Sequence, residues 1–193
     1  IHLNGSGSTA DTGQVLSDNF VRTGQLQEAI KYNQETQKSQ MLLYGDLAEQ
    51  TCASKHTDAT IKCALGELRK AEILFTANKT VRIEVNGDVG AALHGLSEVQ
   101  LALGKYKDST ENAEKGYSYR MKMHKGLKHV SVLETLILRA KICNAKGDYD
   151  GGKTLGEQAL ANIRFLTESE SNPMVAQALY VIGDSLYGLG MFM

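Results

Sequence analysis

The chain has 193 residues, 42% of them apolar and 6% aromatic, with 22 acidic residues against 21 Lys and Arg and a formal net charge of −1. A single Pro and no Trp argue against a sandwich or barrel, which needs many turns and aromatic cross-strand pairs. The balanced charge offers no basic excess for nucleic acid, no apolar run reaches the roughly 18 residues of a membrane span, and no signal-peptide pattern opens the chain. A cytoplasmic protein is expected, without nucleic-acid or membrane partners. Cys52, Cys63 and Cys143 are an odd number at wide spacing, which predicts reduced, largely buried thiols rather than a disulfide framework or a zinc site. Asn4-Gly5-Ser6 and Asn78-Lys79-Thr80 match the glycosylation sequon, and are set aside without a secretion signal. A start at Ile and an abrupt end at Gly190-Met191-Phe192-Met193 read as a fragment of a longer protein.

Taken from the N-terminus, residues 1–8, with Asn4-Gly5-Ser6-Gly7-Ser8, predict a flexible lead-in. One phrase then recurs: an apolar stretch, a Gly, a spacer and an apolar or aromatic residue. It occurs as Gly24-Gln25-Leu26, Gly66-Glu67-Leu68, Gly104-Lys105-Tyr106, Gly147-Asp148-Tyr149 and Gly190-Met191-Phe192, with the glycines 42, 38, 43 and 43 residues apart. Other positions keep the same phase. Leu93, Leu136 and Leu179 stand eleven residues before a repeat glycine, and Val89, Val132 and Val175 stand fifteen before. Small residues Ser17, Ala59, Ser97, Ala140 and Gly183 stand seven before it, and Ala29, Ala71, Ser109 and Gly152 stand five after.

Between glycines the apolar spacing predicts two helices. First helices are read over 88–103, 131–145 and 174–189, with second helices over 105–125 and 148–167. Each Gly supplies a helix C-terminus, where a positive φ strains other residues. Asp46, Asp88 and Ser131 are read as N-caps, and Asn172-Pro173 as the last helix start with Pro at its first position.

This pattern resembles the tetratricopeptide repeat, a helix–turn–helix unit of about 34 residues. The longer units here, with His129-Val130-Ser131-Val132 and Asn172-Pro173-Met174-Val175-Ala176 entering the first helix, are similar to the kinesin-light-chain type. The resemblance implies an all-α, right-handed superhelical solenoid of antiparallel helix pairs in a single array. Its units are 9–45, 46–87, 88–130, 131–173 and a partial fifth at 174–193. Departures are Gln100 and Cys143 where the family often has an aromatic, and Arg139 in place of an apolar residue.

Gly147-Asp148-Tyr149-Asp150-Gly151-Gly152-Lys153-Thr154 matches the phosphate-loop pattern letter for letter. The preceding stretch is helical rather than a buried strand, and two aspartates would face the phosphates, so it is read as a coincidence of repeat phase. His2, His56, His94, His124 and His129 lack metal-ligand spacing, and no nucleophile constellation is evident. Neither enzyme activity nor a cofactor or metal is expected. Lys115, Arg120, Lys122, Lys125 and Lys128 crowd one second helix and its loop, which reads as a solvated outer face, the alternative being a basic face for an acidic partner or phosphorylated segment. His56 and His94 share one phase, ten residues before their glycines, and read either as groove-lining polar residues or as partly buried or solvated histidines.

The resemblance implies a protein-interaction scaffold or adaptor that holds a partner's peptide or helix in a concave groove. Positions near two, six and ten residues before each glycine line that groove in the family, and give Thr60, His94, Glu98, Glu134, Lys141, Asn144, Tyr180 and Asp184 here. Their mixed charge argues against a two-lysine carboxylate clamp. The alternative is a peptide-sensing regulatory module of a larger protein, and self-association through the last helix is a further expectation.

Overall fold

The computed structural model describes residues 7–167 and 169–191, and all regular elements among them are helices. The chain divides into two compact units, 1–99 and 100–193. The first holds α1 (Gly7–Arg22), α2 (Leu26–Tyr44), α3 (Glu49–Ala64), α4 (Leu68–Glu84) and most of α5 (Val89–Ala102). The second holds the end of α5 with α6 (Tyr106–Met123), α7 (Val130–Ala145), α8 (Tyr149–Thr167) and α9 (Pro173–Gly188). In unit 1, α2 packs on α1 and α3, α3 on α4, and α1 on α3; in unit 2, α7 packs on α6, α8 and α9, and α8 on α9. Contact with both the next helix and the one beyond is the packing of a stacked helical repeat. Gly7 and Ser8, expected in the lead-in, already belong to α1. Asn4-Gly5-Ser6, His2 and Phe192 lie outside the described residues.

The five repeat glycines end their helices as the spacing predicts. Gly24, Gly66, Gly104, Gly147 and Gly190 have φ of +74, +75, +72, +81 and +72°. In each case the next amide donates back to the carbonyl four residues before the glycine, as Gln25 N does to Phe20 O at 2.9 Å and Asp148 N to Cys143 O at 2.9 Å. That is a Schellman closure, and it turns the chain sharply into the second helix. Helix starts follow the sequence reading in part. Asn172 Oδ1 accepts from Met174 N at 2.8 Å, and Asp88 Oδ1 accepts from Gly90 N at 2.9 Å. The cap of α7 is His129, whose Nδ1 accepts from Ser131 N at 3.2 Å, so Ser131 stands inside the helix. Asp46 caps nothing; α3 begins at Glu49, and the Asp46 carboxylate pairs with Lys55 at 2.7 Å.

The buried face of every second helix occupies one register, five, nine, twelve and sixteen residues after the glycine. α8 fills it with Gly152, Gly156, Ala159 and Ile163, and α2 fills it with Ala29, Asn33, Thr36 and Gln40. The two units therefore have different interiors. Unit 2 has an apolar core of Leu133, Leu136, Ile137, Ala140, Ala159, Ile163, Val175, Ala178 and Val181. Unit 1 buries Thr51, Ser54 and Thr57 of α3 and Asn78 and Arg82 of α4 beside a thinner apolar set. Burial of such groups is tolerable when they are bonded. Asn78 Nδ2 donates to Cys52 O at 2.7 Å, which leaves its sequon no outlet to solvent, and Arg82 Nε donates to Asn78 Oδ1 at 2.7 Å.

Arg82 and Arg120 stand at the same repeat position, sixteen residues after Gly66 and Gly104. Each is buried and ties its helix end to the following first helix. Arg82 Nη1 donates to Glu49 Oε1 and Asp88 O, and Arg120 Nη1 donates to Ser131 O and Thr135 Oγ1, both at 2.7 Å. Arg120 is thus no member of a solvated outer face, because its guanidinium closes the α6–α7 junction. Leu179 also departs from its phase-mates: Leu93 and Leu136 are buried, whereas Leu179 is 47% exposed on α9, the last described helix.

Leu136 is fully buried in the unit 2 core, so Leu136→Ala is expected to cost about 2–5 kcal/mol in urea unfolding. Two mid-helix glycines should respond with opposite signs. A Cβ on Gly183 meets nothing within 4 Å, so Gly183→Ala should stabilise by about 0.5–1 kcal/mol through helix propensity. A Cβ on Gly95 would overlap the buried Phe75 ring, so Gly95→Ala should destabilise by about 1–3 kcal/mol despite the same propensity gain.

Candidate functional site

The residues read from the sequence as groove-lining fall in both units and are taken unit by unit. In unit 1, Thr60 of α3 borders a cleft of about 260 Å³ shared with Asp18, Val21 and Arg22 of α1 and with His56 and Thr57 of α3. The cleft is a polar, preformed surface. Thr57 Oγ1 donates to Asp18 Oδ1 at 2.7 Å, and Gln14 Nε2 donates to Thr57 Oγ1 at 2.6 Å, so the Asp18 carboxylate is held in place across the α1–α3 seam. Thr60 Oγ1 donates to His56 O within its own helix at 3.1 Å. The His56 ring stands edge-on to Phe75 with centroids 5.0 Å apart. On α5, His94 Nε2 and Glu98 Oε1 lie 3.7 Å apart, one turn from each other.

In unit 2, Lys141 is half-buried on α7, and Tyr180 of α9 is 72% exposed. Asp184 is exposed one turn further along α9. Glu134 lies near the start of α7 with its carboxylate 4.0 Å from the Arg120 guanidinium. Asn144 differs from the expectation. It is 7% exposed, donates through Nδ2 to Val181 O at 3.0 Å and to Asp184 Oδ2 at 2.9 Å, and accepts from Ser185 Oγ at 2.8 Å. Its amide is spent in clamping α7 to α9, and its contribution to a site is to hold Asp184. Counted from their glycines, Thr60, Glu98, Lys141 and Asp184 are six residues before and His94 and Tyr180 ten before. Asn144 and Glu134, three and thirteen before, are out of that phase.

Asp18 is absent from the groove-lining set read from the sequence, although it stands six residues before Gly24, and His56, ten before Gly66, is left open there. Extending the same offsets to the first two units finds both. Arg22, two residues before Gly24, is found in the same way.

The three cysteines are unpaired. Burial pushes the Cys63 thiol up to about 11, with the charge of Glu98 acting in the same direction. Burial likewise raises Cys52 and Cys143, so all three are poor nucleophiles at neutral pH. The phosphate-loop look-alike follows α7, a helix, and opens α8. Asp148 Oδ1 accepts the Gly151 amide at 3.0 Å, occupying a donor that a phosphate would need. No group of three or more His, Cys, Asp or Glu suited to a metal occurs among the described residues. None of the described helices is long and apolar enough to cross a membrane.

No family model matches the chain, and no curated protein sequence matches it significantly. Its backbone does match solved structures. A candidate kinesin light chain with nearly identical TPR-like repeats from Podosopora anserina superposes with a TM-score of 0.70 at 20% identity, covering 95% of this chain and 88% of that one. A single-substitution variant of the same protein gives a TM-score of 0.71 at 20% identity, with 95% and 87% covered. BtubC (BKLC) from P. vanneervenii gives 0.78 at 17% identity, with 96% and 75% covered. At such identities the likeness concerns the backbone, and it establishes that this chain has the TPR-like helical-repeat fold of the kinesin-light-chain structures.

Proposed function

We propose that the chain is a protein-interaction scaffold, one array of TPR-like units that holds a peptide or helix of a partner protein against the faces of its first helices. The observation that carries this reading is the fold itself, matched over almost the whole chain to TPR-like repeat structures. The side chains on the first helices support it. Tyr180 offers a large exposed ring, and Lys141, Asp184, Glu98 and Asp18 offer charges of both signs. Interfaces concentrate their energy in a few such residues, with Tyr prominent among them, while charges set register and selectivity. Thr60 and His94 complete the face in unit 1. Glu134 belongs to its margin, and Asn144 supports Asp184 from behind. Three unpaired thiols suit a reducing compartment, which supports a cytoplasmic location.

The test is selection of peptides from a random displayed library against the purified chain. Selected peptides should lose about tenfold or more in affinity with Tyr180→Ala and with Lys141→Glu, at an unchanged melting temperature. Lys122→Ala with Lys125→Ala, away from the first helices, should have little effect. Equal affinity for the first-helix variants, with loss in the lysine variants, would move the site off the groove.

A further inference from the structure

The ends of the second helices, with the turns that lead into the next first helix, are unusually apolar. Among the described residues, 11 of the 19 large apolar side chains left exposed lie in these last helical turns, in the loops after them or at the first residue of the helix that follows. The nineteenth residue after each repeat glycine is Leu43, Val85, Met123 or Leu166, exposed in every case. The solvent-facing side of a helix ordinarily carries polar side chains. A repeated apolar row at the surface is instead the mark of an interaction edge.

In unit 1 the α2–α3 and α4–α5 turns adjoin, since Arg82 bonds both Glu49 at the start of α3 and the Asp88 carbonyl. Leu42 is 88% exposed there, with Leu47 and Ile83 also open to solvent. Residues 41–50 and 83–89 contain Asp46, Glu49, Glu84 and Asp88 and no Lys or Arg. Lys55 and Arg82 pair with Asp46 and Glu49, so Glu84 and Asp88 give this edge its acidic rim. In unit 2 the α6–α7 and α8–α9 turns adjoin, since the Lys128 ammonium lies 4.8 Å above the Phe165 ring. Phe165, Met123 and Val130 are exposed. Residues 121–130 contain Lys122, Lys125 and Lys128 with two histidines and no acid. Across 164–173, Arg164 pairs with Glu170 and Glu168 adds one charge, so the lysines keep this edge basic.

We propose that the chain self-associates edge to edge, the acidic apolar turns of unit 1 in one copy against the basic apolar turns of unit 2 in a second copy. The two edges carry the same apolar row and opposite charge, and Glu84 and Lys122 occupy one repeat position, eighteen residues after their glycines. Like edges would set like charges together, which disfavours that pairing. A basic helix from an unrelated protein would satisfy the unit 1 edge alone and leave the apolar row of unit 2 uncovered.

Sedimentation velocity of the full chain, from about 1 to 100 μM, tests this. The mass should rise above that of one copy with concentration, and the association should weaken about tenfold between low and high salt. Leu42→Asp, at a site with almost no folded-state contacts, should abolish it while leaving the helical circular dichroism unchanged and the melting temperature equal to that of the parent at dilutions where the parent is monomeric. Glu84→Lys and Lys122→Glu should each weaken it about tenfold, and an equimolar mixture of the two should recover association to within about threefold of the parent. Leu179→Asp on α9 should have no effect. A chain that stays monomeric throughout overturns the proposal, as does association indifferent to Leu42→Asp or abolished by Leu179→Asp. A monomeric chain that binds a designed Leu/Lys helical peptide at Leu42 would also overturn it, in favour of an unrelated partner.

Discussion

The small residue five positions after each repeat glycine is the constraint on which the packing depends. Ala29, Ala71, Ser109 and Gly152 are all buried, and each lies where a second helix turns back beside its neighbours. Ser17 Oγ donates to the Ala29 carbonyl at 3.1 Å, a bond that requires the two helix backbones of the first pair to lie close. A Cβ on Gly152 would overlap the Asn144 amide, so at that crossing even one methyl is excluded. Close crossing leaves each pair too thin to bury its own stripe. The stripe must be covered by the next pair, so stability accumulates along the chain instead of residing in one central core.

Within that frame the two units close their interiors with different balances of apolar and polar side chains. Unit 2 relies more on branched aliphatic side chains, whose burial is favourable without any demand on orientation, although it too buries Arg120, Thr135 and Asn144. Unit 1 uses hydroxyls, amides and a guanidinium, which are tolerable only when bonded. The row Asn33, Thr36 and Gln40 on α2 illustrates the cost, since Asn33 Oδ1, Thr36 Oγ1 and Gln40 Oε1 are buried with no hydrogen-bond partner among the described residues. Gln40 occupies the position at which Arg82 and Arg120 tie later helix ends to the next first helix. An amide there is too short to do what the guanidinium does. Opening motions of the array should therefore begin in unit 1.

Rows of side chains with distinct repeat phases serve different surfaces. The positions six and ten before each glycine supply polar and aromatic groups on the first helices, the face proposed for a partner peptide, except at Ile137, which belongs to the core. The positions eighteen and nineteen after it supply an apolar row with opposite charge in the two units. One phase can diverge without disturbing another, because a helix presents residues three and four apart on one side and the residues between them on the other.

Much of this was legible in the linear chain. A glycine recurring about every 42 residues marks the five Schellman turns, and helical spacing predicts the later helices to within a few residues, because both signals are local. The burial of Leu136 and Ala71 follows from phase alone. Long-range partners were not legible. Arg120 reads as one more lysine-like surface charge until α7 places the Ser131 carbonyl and the Thr135 hydroxyl beside it. Asn144 reads as a groove residue until α9 engages its whole amide. Leu179 reads as core by phase and is exposed on α9. Periodicity determines which side of a helix a residue occupies; only the packed neighbours decide whether that side meets a donor, an apolar wall or water.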